Sequence, residues 1–258
     1  MGRKKSNRSP AVERALDVIE LVAASDRDLS LSEIMKRISI PRQSLIRILN
    51  SLCDRGIVNR ADQRGFYRVG MGLLYLGARL KDKIMLRTVA WPLMQELAEQ
   101  THKTIELSTL DRDQFILIEQ IEGTEEVRPY SRVGGAYPYF HALAAGKLYL
   151  AHMALEKRRN VLDKIGLPAV TEHTITNMGK LEEELLRVRE NGYAFEDQEL
   201  RRSVRRVGAP IYDYNNDFAG CISISATVFS FELADRENLG RMVIEMANKI
   251  SYRMGKEK

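Results

Sequence analysis

Apolar residues recur at helical spacing from the start of the chain. Val12, Ala15, Leu16, Ile19 and Val22 predict an amphipathic helix over residues 10–24, with Ser9 as its N-cap and Pro10 at the first helical position. The polar run DRDLS ends it. Ser30 and Glu33 have capping-box spacing, and Leu31, Ile34 and Ile38 predict a short second helix to about Ser39. After a tight SIP connection, Leu45, Ile48, Leu49 and Leu52 stand at i, i+3, i+4 and i+7, which predicts a third helix from Pro41 that ends before Gly56. The segment IVNRADQRGFYRVG then reads as two short strands around a DQRG turn.

From residue 70 the pattern is helical in two pieces. The first, with Leu73, Leu74, Leu76, Leu80 and Ile84, runs to about Leu86 as a linker; the second starts at Arg87, with Pro92 near its beginning. TIELSTL and QFILIEQIEG are strand-like runs joined by the turn DRD, and VRPYSRVGG adds a candidate strand before a glycine-rich loop. HALAAGKLYLAHM, residues 156–165 and residues 178–191 read as helices. YAFED, RRVGAPIYDY and FAGCISISATV read as strands, and residues 235–254 as a closing helix. Helices clustered around one antiparallel sheet predict an α+β class.

Charge changes the picture of the first part. Residues 1–70 hold 14 Lys+Arg against 8 Asp+Glu, whereas residues 71–258 hold 26 against 27, so the whole formal excess of +5 lies in the first quarter. A basic module on a near-neutral remainder points to a polyanion as its partner. The polar face of the third helix carries Arg42, Gln43, Ser44, Ile46, Arg47 and Asn50. Arg pairs in bidentate fashion with guanine, and Asn or Gln with adenine, and a helix fits the major groove. Arg60, Arg64 and Arg68 on the basic hairpin are available to phosphates. Three helices and this hairpin predict a winged helix-turn-helix on double-stranded DNA.

Composition excludes other classes. With 44% hydrophobic and 29% charged residues and no apolar run of membrane length, the chain reads as a soluble cytoplasmic protein without membrane association. MGRKKSNRSP lacks the apolar core of a secretory signal, and although MGRKKS fits the permissive myristoylation pattern, a loose basic arm over residues 1–8 accounts for the same letters. Cys53 and Cys221, far apart, read as buried thiols in a reducing compartment. None of His102, His141, His152 and His173 stands at metal-ligand spacing, and no phosphate loop or nucleophile elbow occurs, so neither an enzyme nor a cofactor is expected. His141 reads as a helix-start histidine bonded to a backbone carbonyl.

SPAVERALDVIELVAAS, LSLSEIMKRISIPRQSLIRILNSLCDRGIV, KTIELSTLD, YSRVG, HALAAGKLYLA, VRENGYAFEDQEL and VGAPIYD with GCISIS follow one another in an order that resembles the IclR family of bacterial transcription regulators, over residues 9–254. The resemblance implies a winged helix-turn-helix over residues 9–69, a helical linker over 70–86 and a GAF-like effector-binding domain over 87–258. It further implies a homodimer or homotetramer and a small-molecule effector, with an organic acid as the expected class. Repression of a catabolic operon is the expected activity, with activation on the same architecture as the alternative. The family's effector pocket, carried over by position, comprises Ala144, Ala145, Glu196, Val204, Arg206, Ser223 and Ser225.

The main-chain N–H groups at the ALAAG helix start suit a carboxylate, and Ser223 and Ser225, two apart on a strand, share one face. The chain also departs from the family. Ser203 and Arg206 replace a glycine and a cysteine, Glu196 replaces an aspartate, Tyr137, Tyr139 and Phe140 replace smaller residues, and Ile46 stands where histidine is common. Four arginines lie in LRRSVRR. Strand alternation puts Val204 and Arg206 on one face and Ser203, Arg205 and Val207 on the other, with Arg201 and Arg202 solvated or paired with Glu196, Asp197 or Glu199. Arg206 has two readings at this point: a guanidinium fork for a ligand carboxylate, or a structural pair with Glu196.

Overall fold

The computed structural model describes residues 9–63 and 65–256; the expected basic arm over residues 1–8 and Arg64 lie outside the described residues. By compactness the chain divides between Lys83 and Ile84. The first unit is built as the apolar spacing predicts, from α1 (Pro10–Ala23), α2 (Leu31–Ile38) and α3 (Arg42–Asp54), followed by β2 (Val58–Arg60) and β3 (Phe66–Val69). Val18, Val22, Ile34, Leu45 and Leu49 meet in its core. The capping box of α2 is formed: the Glu33 N–H donates to the Ser30 hydroxyl at 3.3 Å, and the Ser30 N–H donates to Glu33 at 2.9 Å. Ser9 precedes Pro10 without a side-chain cap bond. A two-residue strand, β1 (Leu29–Ser30), has no sequence signal of its own and pairs with β3 to give the sheet order β1-β3-β2.

Two backbone positions fix how the hairpin leaves α3. Gly56 sits at φ +63°, and a Cβ on Gly70 would lie 2.1 Å from the Gly56 carbonyl oxygen. The chain crosses itself there more closely than any side chain permits. The expected linker helix is shorter than its apolar pattern suggested. α4 spans Gly72–Lys81, and α5 already begins at Met85 and runs to Thr101. The physical reason is a change of phase: Leu86, Ala90, Leu93 and Leu97 form a new buried stripe on the second unit, out of register with the exposed Leu74, Leu76 and Leu80 of α4. Pro92 lies inside α5 rather than near its start, and both it and Thr88, whose carbonyl loses its helical donor, are exposed to water.

The second unit is an α+β layer structure around a six-stranded antiparallel sheet. Its strands are β4 (Thr104–Asp111), β5 (Gln114–Ile121), β6 (Ala136–Tyr137), β7 (Ala194–Asp197), β8 (Val204–Tyr212) and β9 (Phe218–Thr227), in the order β6-β5-β4-β9-β8-β7. VRPYSRVGG forms no strand; only the two residues after it pair with β5. Pro129 cannot donate to a ladder, and Gly134, at φ +84°, turns back so that its N–H donates to Leu117 at 2.7 Å. One sheet face buries Ile105, Leu107, Val207, Ile222 and Ile224 against α5 and α9 (Arg236–Arg253). The other packs Phe115, Ala194 and Cys221 against α6 (Ala144–His152) and α8 (Met178–Asn191), with α7 (Leu155–Ile165) outside. The expected HALAAGKLYLAHM helix is broken: Phe140–Ala142 form a 3-10 turn, Leu143 is extended, and α6 starts afresh at Ala144.

Candidate functional site

On α3, Leu45, Leu49 and Leu52 are buried while Arg42, Gln43, Arg47 and Asn50 are exposed and Ser44 and Ile46 half-buried. This is a solvent-facing row with the donors and acceptors needed for base edges. Two of the hairpin arginines are engaged within the protein. Arg60 donates to the Asn50 side-chain oxygen at 2.8 Å, which ties the hairpin to α3, and Arg68 pairs with Asp28 at 2.9 Å and Asp62 at 3.5 Å. These exposed pairs are weak and exchangeable. Arg47 also borders an apolar surface groove of about 350 Å³ between α1 and α3, lined by Val12, Leu16 and Ile48.

The sheet of the second unit carries polar side chains where burial should favour apolar ones. In β9, Cys221, Ser223, Ser225 and Thr227 alternate with Ile222, Ile224 and Ala226, and all are buried. Strand pairing extends the polar set sideways into two rows. Ser225 is flanked by Thr104 and Arg206, with Glu196 beyond; Ser223 is flanked by Glu106 and Gly208. Both rows lie on the face toward α6. Glu106 and Arg206 stand on interior strands and Glu196 on the edge strand β7, yet all three are buried, where charge survives only if paired.

They are paired with each other. Arg206 donates from Nε to Glu106 at 2.9 Å and from Nη1 to Glu196 at 3.1 Å. The hydroxyl of Ser131 donates to the other Glu106 oxygen at 2.7 Å, and the Leu200 N–H donates to Glu196 at 3.3 Å. Burial would lower the Arg206 pKa, but the two carboxylates outweigh it and hold the guanidinium protonated. Burial pushes the Glu196 carboxyl up, against the opposing pull of Arg206 and Lys147. The second Glu196 oxygen and the Ser225 hydroxyl have no hydrogen-bond partner.

Around this ion triple lies a partly enclosed cavity with about 40 Å³ of free space, lined by Glu106, Arg206, Ser223, Ala144, Ala145 and Tyr137 among others. The start of α6 forms its opposite wall, and no side chain caps that helix end. Its first N–H groups thus have no partner within the helix. A Cβ on Gly146 would lie 2.2 Å from the Phe140 carbonyl oxygen, so glycine is what lets α6 begin against the preceding turn. His141 in that turn is buried and its Nε2 bonds the Pro168 carbonyl at 3.0 Å, the arrangement expected of a helix-start histidine.

Of the residues expected at an effector pocket, Ala144, Ala145, Arg206 and Ser223 surround this cavity. Glu196 stands behind Arg206 as its partner, Ser225 is buried in the same row, and Val204 is buried one step along the strand face from Arg206 without lining the space. Of the three aromatics, Tyr137 lines the cavity, Tyr139 is partly exposed, and Phe140 packs edge-on against Phe115 with ring centroids 5.1 Å apart. Glu106, Ser131 and Lys147 were not anticipated. The alternation of Thr104, Glu106 and Ser108 with Ile105 and Leu107 was the available signal for Glu106. Nothing local marks Ser131, which reaches Glu106 from an irregular loop.

Lys147, fully buried on α6, donates to the Phe195 carbonyl at 3.1 Å and to Glu199. Burial pushes the Glu199 carboxyl up to about 7 despite Lys147. The remaining arginines of LRRSVRR point elsewhere. Arg205 pairs with Asp197 at 2.8 Å, as a strand neighbour can. Arg202 pairs with Glu172 at 2.8 Å and Arg201 donates to the Tyr130 carbonyl, rather than to Glu196, Asp197 or Glu199. Arg201 and Arg202 lie in the turn between β7 and β8, where Gln198 and Ser203 have left-handed backbone. Cys221 is fully buried, which raises its thiol pKa, whereas Cys53 is only half-buried. Among the described residues there is no cluster of metal-ligating side chains, and no helix is long and apolar enough to cross a membrane.

Comparison with known proteins agrees with this architecture. Residues 11–62 match the IclR helix-turn-helix domain, and residues 79–252 match the bacterial transcriptional regulator IclR C-terminal domain. The chain is 28% identical over 247 residues to the acetate operon repressor of Salmonella typhimurium, covering 95% of this chain and 90% of that protein. It is 30% identical over 258 residues to the HTH-type transcriptional regulator BhcR of Paracoccus denitrificans, covering 100% of this chain and 92% of that one. The crystal structure of an IclR transcriptional regulator from Alicyclobacillus acidocaldarius superimposes with a TM-score of 0.82 at 28% identity, over 96% of this chain and all of that one.

Proposed function

Because this chain belongs to the IclR family of bacterial transcription regulators, we propose that it represses an operon by binding its operator through α3 and responds to a small organic acid held in the cavity beside α6. It is a DNA-binding transcription regulator with an effector-binding domain, and not an enzyme. The repressor reading draws support from the acetate operon repressor, a relative that aligns over nearly its whole length. Its place of work is the cytoplasm.

The observation that carries the DNA reading is the exposed row Arg42, Gln43, Arg47 and Asn50 on α3 within the quarter of the chain that holds all the excess positive charge. Ser44 and Ile46 border that row. Arg60 and Arg68 meet phosphates by exchanging their weak intramolecular pairs, and Arg64 stands between them in sequence. Exposed Leu74, Leu76 and Leu80 on α4, with Val12 and Leu16 on α1, supply apolar surface for a second copy, which fits a homodimer on a two-fold symmetric operator.

For the effector, the uncapped start of α6 presents main-chain N–H groups and the positive end of a helix dipole to the cavity, a ready place for a carboxylate. Free space of 40 Å³ holds only a few water-sized bodies, so an organic acid enters by moving cavity side chains outward. That movement is where ligand binding and conformation couple. The acid biases operator affinity only as far as it binds one conformation better than another, and residues 70–86 are the path by which residues 87–258 act on residues 9–69. A gel shift with genomic fragments, repeated with a panel of organic acids, tests the proposal. Retained fragments that are released by an acid support it; no retained fragment under any condition contradicts it.

A further inference from the structure

Among the described residues, Arg206 is the one cationic side chain that lines the cavity, and it is already paired with two carboxyl groups. Arg206 stands between Glu106 at 2.9 Å and Glu196 at 3.1 Å, so the buried group carries more carboxylate than guanidinium. A ligand carboxylate brought to Arg206 would meet two carboxyl groups already held by the same fork and would have to displace one of them. The uncapped start of α6 carries no such obstacle. The sheet wall and the helix wall of the cavity therefore ask for opposite things: the helix wall offers donors, and the sheet wall offers an acceptor.

That acceptor is Glu106. An ionised carboxylate has about four lone-pair sites, and the bonds from Arg206 and Ser131 occupy one on each oxygen. Glu106 lines the cavity with Ser223 and Ser108, so its remaining capacity faces a ligand in a setting of low polarity. A ligand that donates to this spare capacity gains a bond that one without a donor cannot make, which makes the position selective.

Building on the reading of this cavity as the effector site, we propose that Glu106 determines specificity: the effector is an acid with a second, hydrogen-bond-donating group, a hydroxyl or a protonated amine. The carboxylate takes the start of α6, and Glu106 accepts from the second group. Arg206 is a positioning residue. It fixes Glu106 between itself and Ser131 and does not anchor the acid.

The test is calorimetric titration of the full-length protein with matched sets, each an acid with a hydroxyl, its amino counterpart and the parent lacking both: 3-hydroxybutyrate, 3-aminobutyrate and butyrate, and the aromatic set mandelate, phenylglycine and phenylacetate. The donor-bearing members of at least one set are expected to bind ~10- to 100-fold more tightly than the parent, the loss that one hydrogen bond to a charged group implies. Glu106→Leu is expected to abolish that ratio by removing the acceptor that the donor-bearing members use. Glu106→Gln, which keeps the size and an acceptor and so safeguards folding, should reduce binding of the amino acid more than of the hydroxy acid. Arg206→Lys should narrow the ratio without abolishing binding of the parent acid. Equal affinity across every set that binds, or a ratio that survives Glu106→Leu, overturns the role of Glu106 while leaving the cavity as an acid site. Failure of every acid to bind overturns both the role and the underlying reading.

Discussion

Arg206 and Glu106 meet at 2.9 Å across a strand that belongs to neither: β9 lies between β8, which carries the guanidinium, and β4, which carries the carboxylate. With Glu196 at 3.1 Å on the other side, the contact turns three buried charges into one network. Removing the central cation leaves two buried carboxyl groups without it. Arg206→Met should therefore lower stability by ~3–5 kcal/mol, and adding Glu106→Gln and Glu196→Gln to it should recover a substantial part. Urea denaturation of the three proteins checks this. A single variant as stable as the parent would mean that the pair contributes nothing.

Glu199 gives the protein a pH signature. Burial raises its carboxyl to about 7 from an ordinary value of 4.5. Between those values the folded chain holds a proton that the unfolded chain releases, so stability falls as pH rises through this window and levels off above it. Glu196, also raised, adds to the same slope. Glu33, pulled down to about 2 chiefly by its bond from Arg27, acts only at lower pH, where its contribution is lost as the group protonates. His141, whose pKa burial lowers, contributes the opposite slope below its ordinary value, so the reading is the difference in melting temperature between the parent and Glu199→Gln from pH 4.5 to 8, which should shift against the parent as pH rises. A difference that does not change with pH, or shifts in the parent's favour, contradicts the assignment.

Gly146 separates packing from chemistry. A methyl group there would strike the Phe140 carbonyl at 2.2 Å and push the start of α6 off its turn. Gly146→Ala is expected to weaken acid binding at least ~10-fold, since displacements of about 1 Å at a positioned site cost that much or more. Operator affinity without ligand should stay near the parent value. Calorimetry and a gel shift on the same preparation read the two effects. Unchanged acid binding would remove the α6 start from the site.

How much of this was legible beforehand follows from the range of each interaction. The three helices of the first unit, the capping box of Ser30 and Glu33, and the strand pair around DRD are set by spacing within a dozen residues, and they stand where periodicity puts them. The break at Leu143 and the end of α4 at Lys81 were not legible, because each depends on what the next segment packs against. VRPYSRVGG departs from its strand-like composition for a related reason: Ser131 bonds inward to Glu106. The choice between the two readings of Arg206 needed Glu106, one hundred residues away in sequence.

On the DNA side, Arg47 is the exposed arginine in the middle of α3. Arg47→Ala should cost ~1–3 kcal/mol of operator affinity if it reads a base edge, with the thermal shift by acids unchanged. Competition titrations with operator variants would show relaxed preference at one base pair. Parent-like affinity would remove Arg47 from the interface.

The central claim is that a ligand in the second unit controls DNA binding by the first. The most direct measurement is the operator affinity of the full-length protein by fluorescence anisotropy at 50 and 200 mM salt, with and without the acid that binds most tightly in the matched sets. Operator affinity is expected to fall by orders of magnitude between the two salt concentrations and to fall further, at each salt, when the acid is bound. An operator affinity that ignores both salt and the bound acid would contradict that claim.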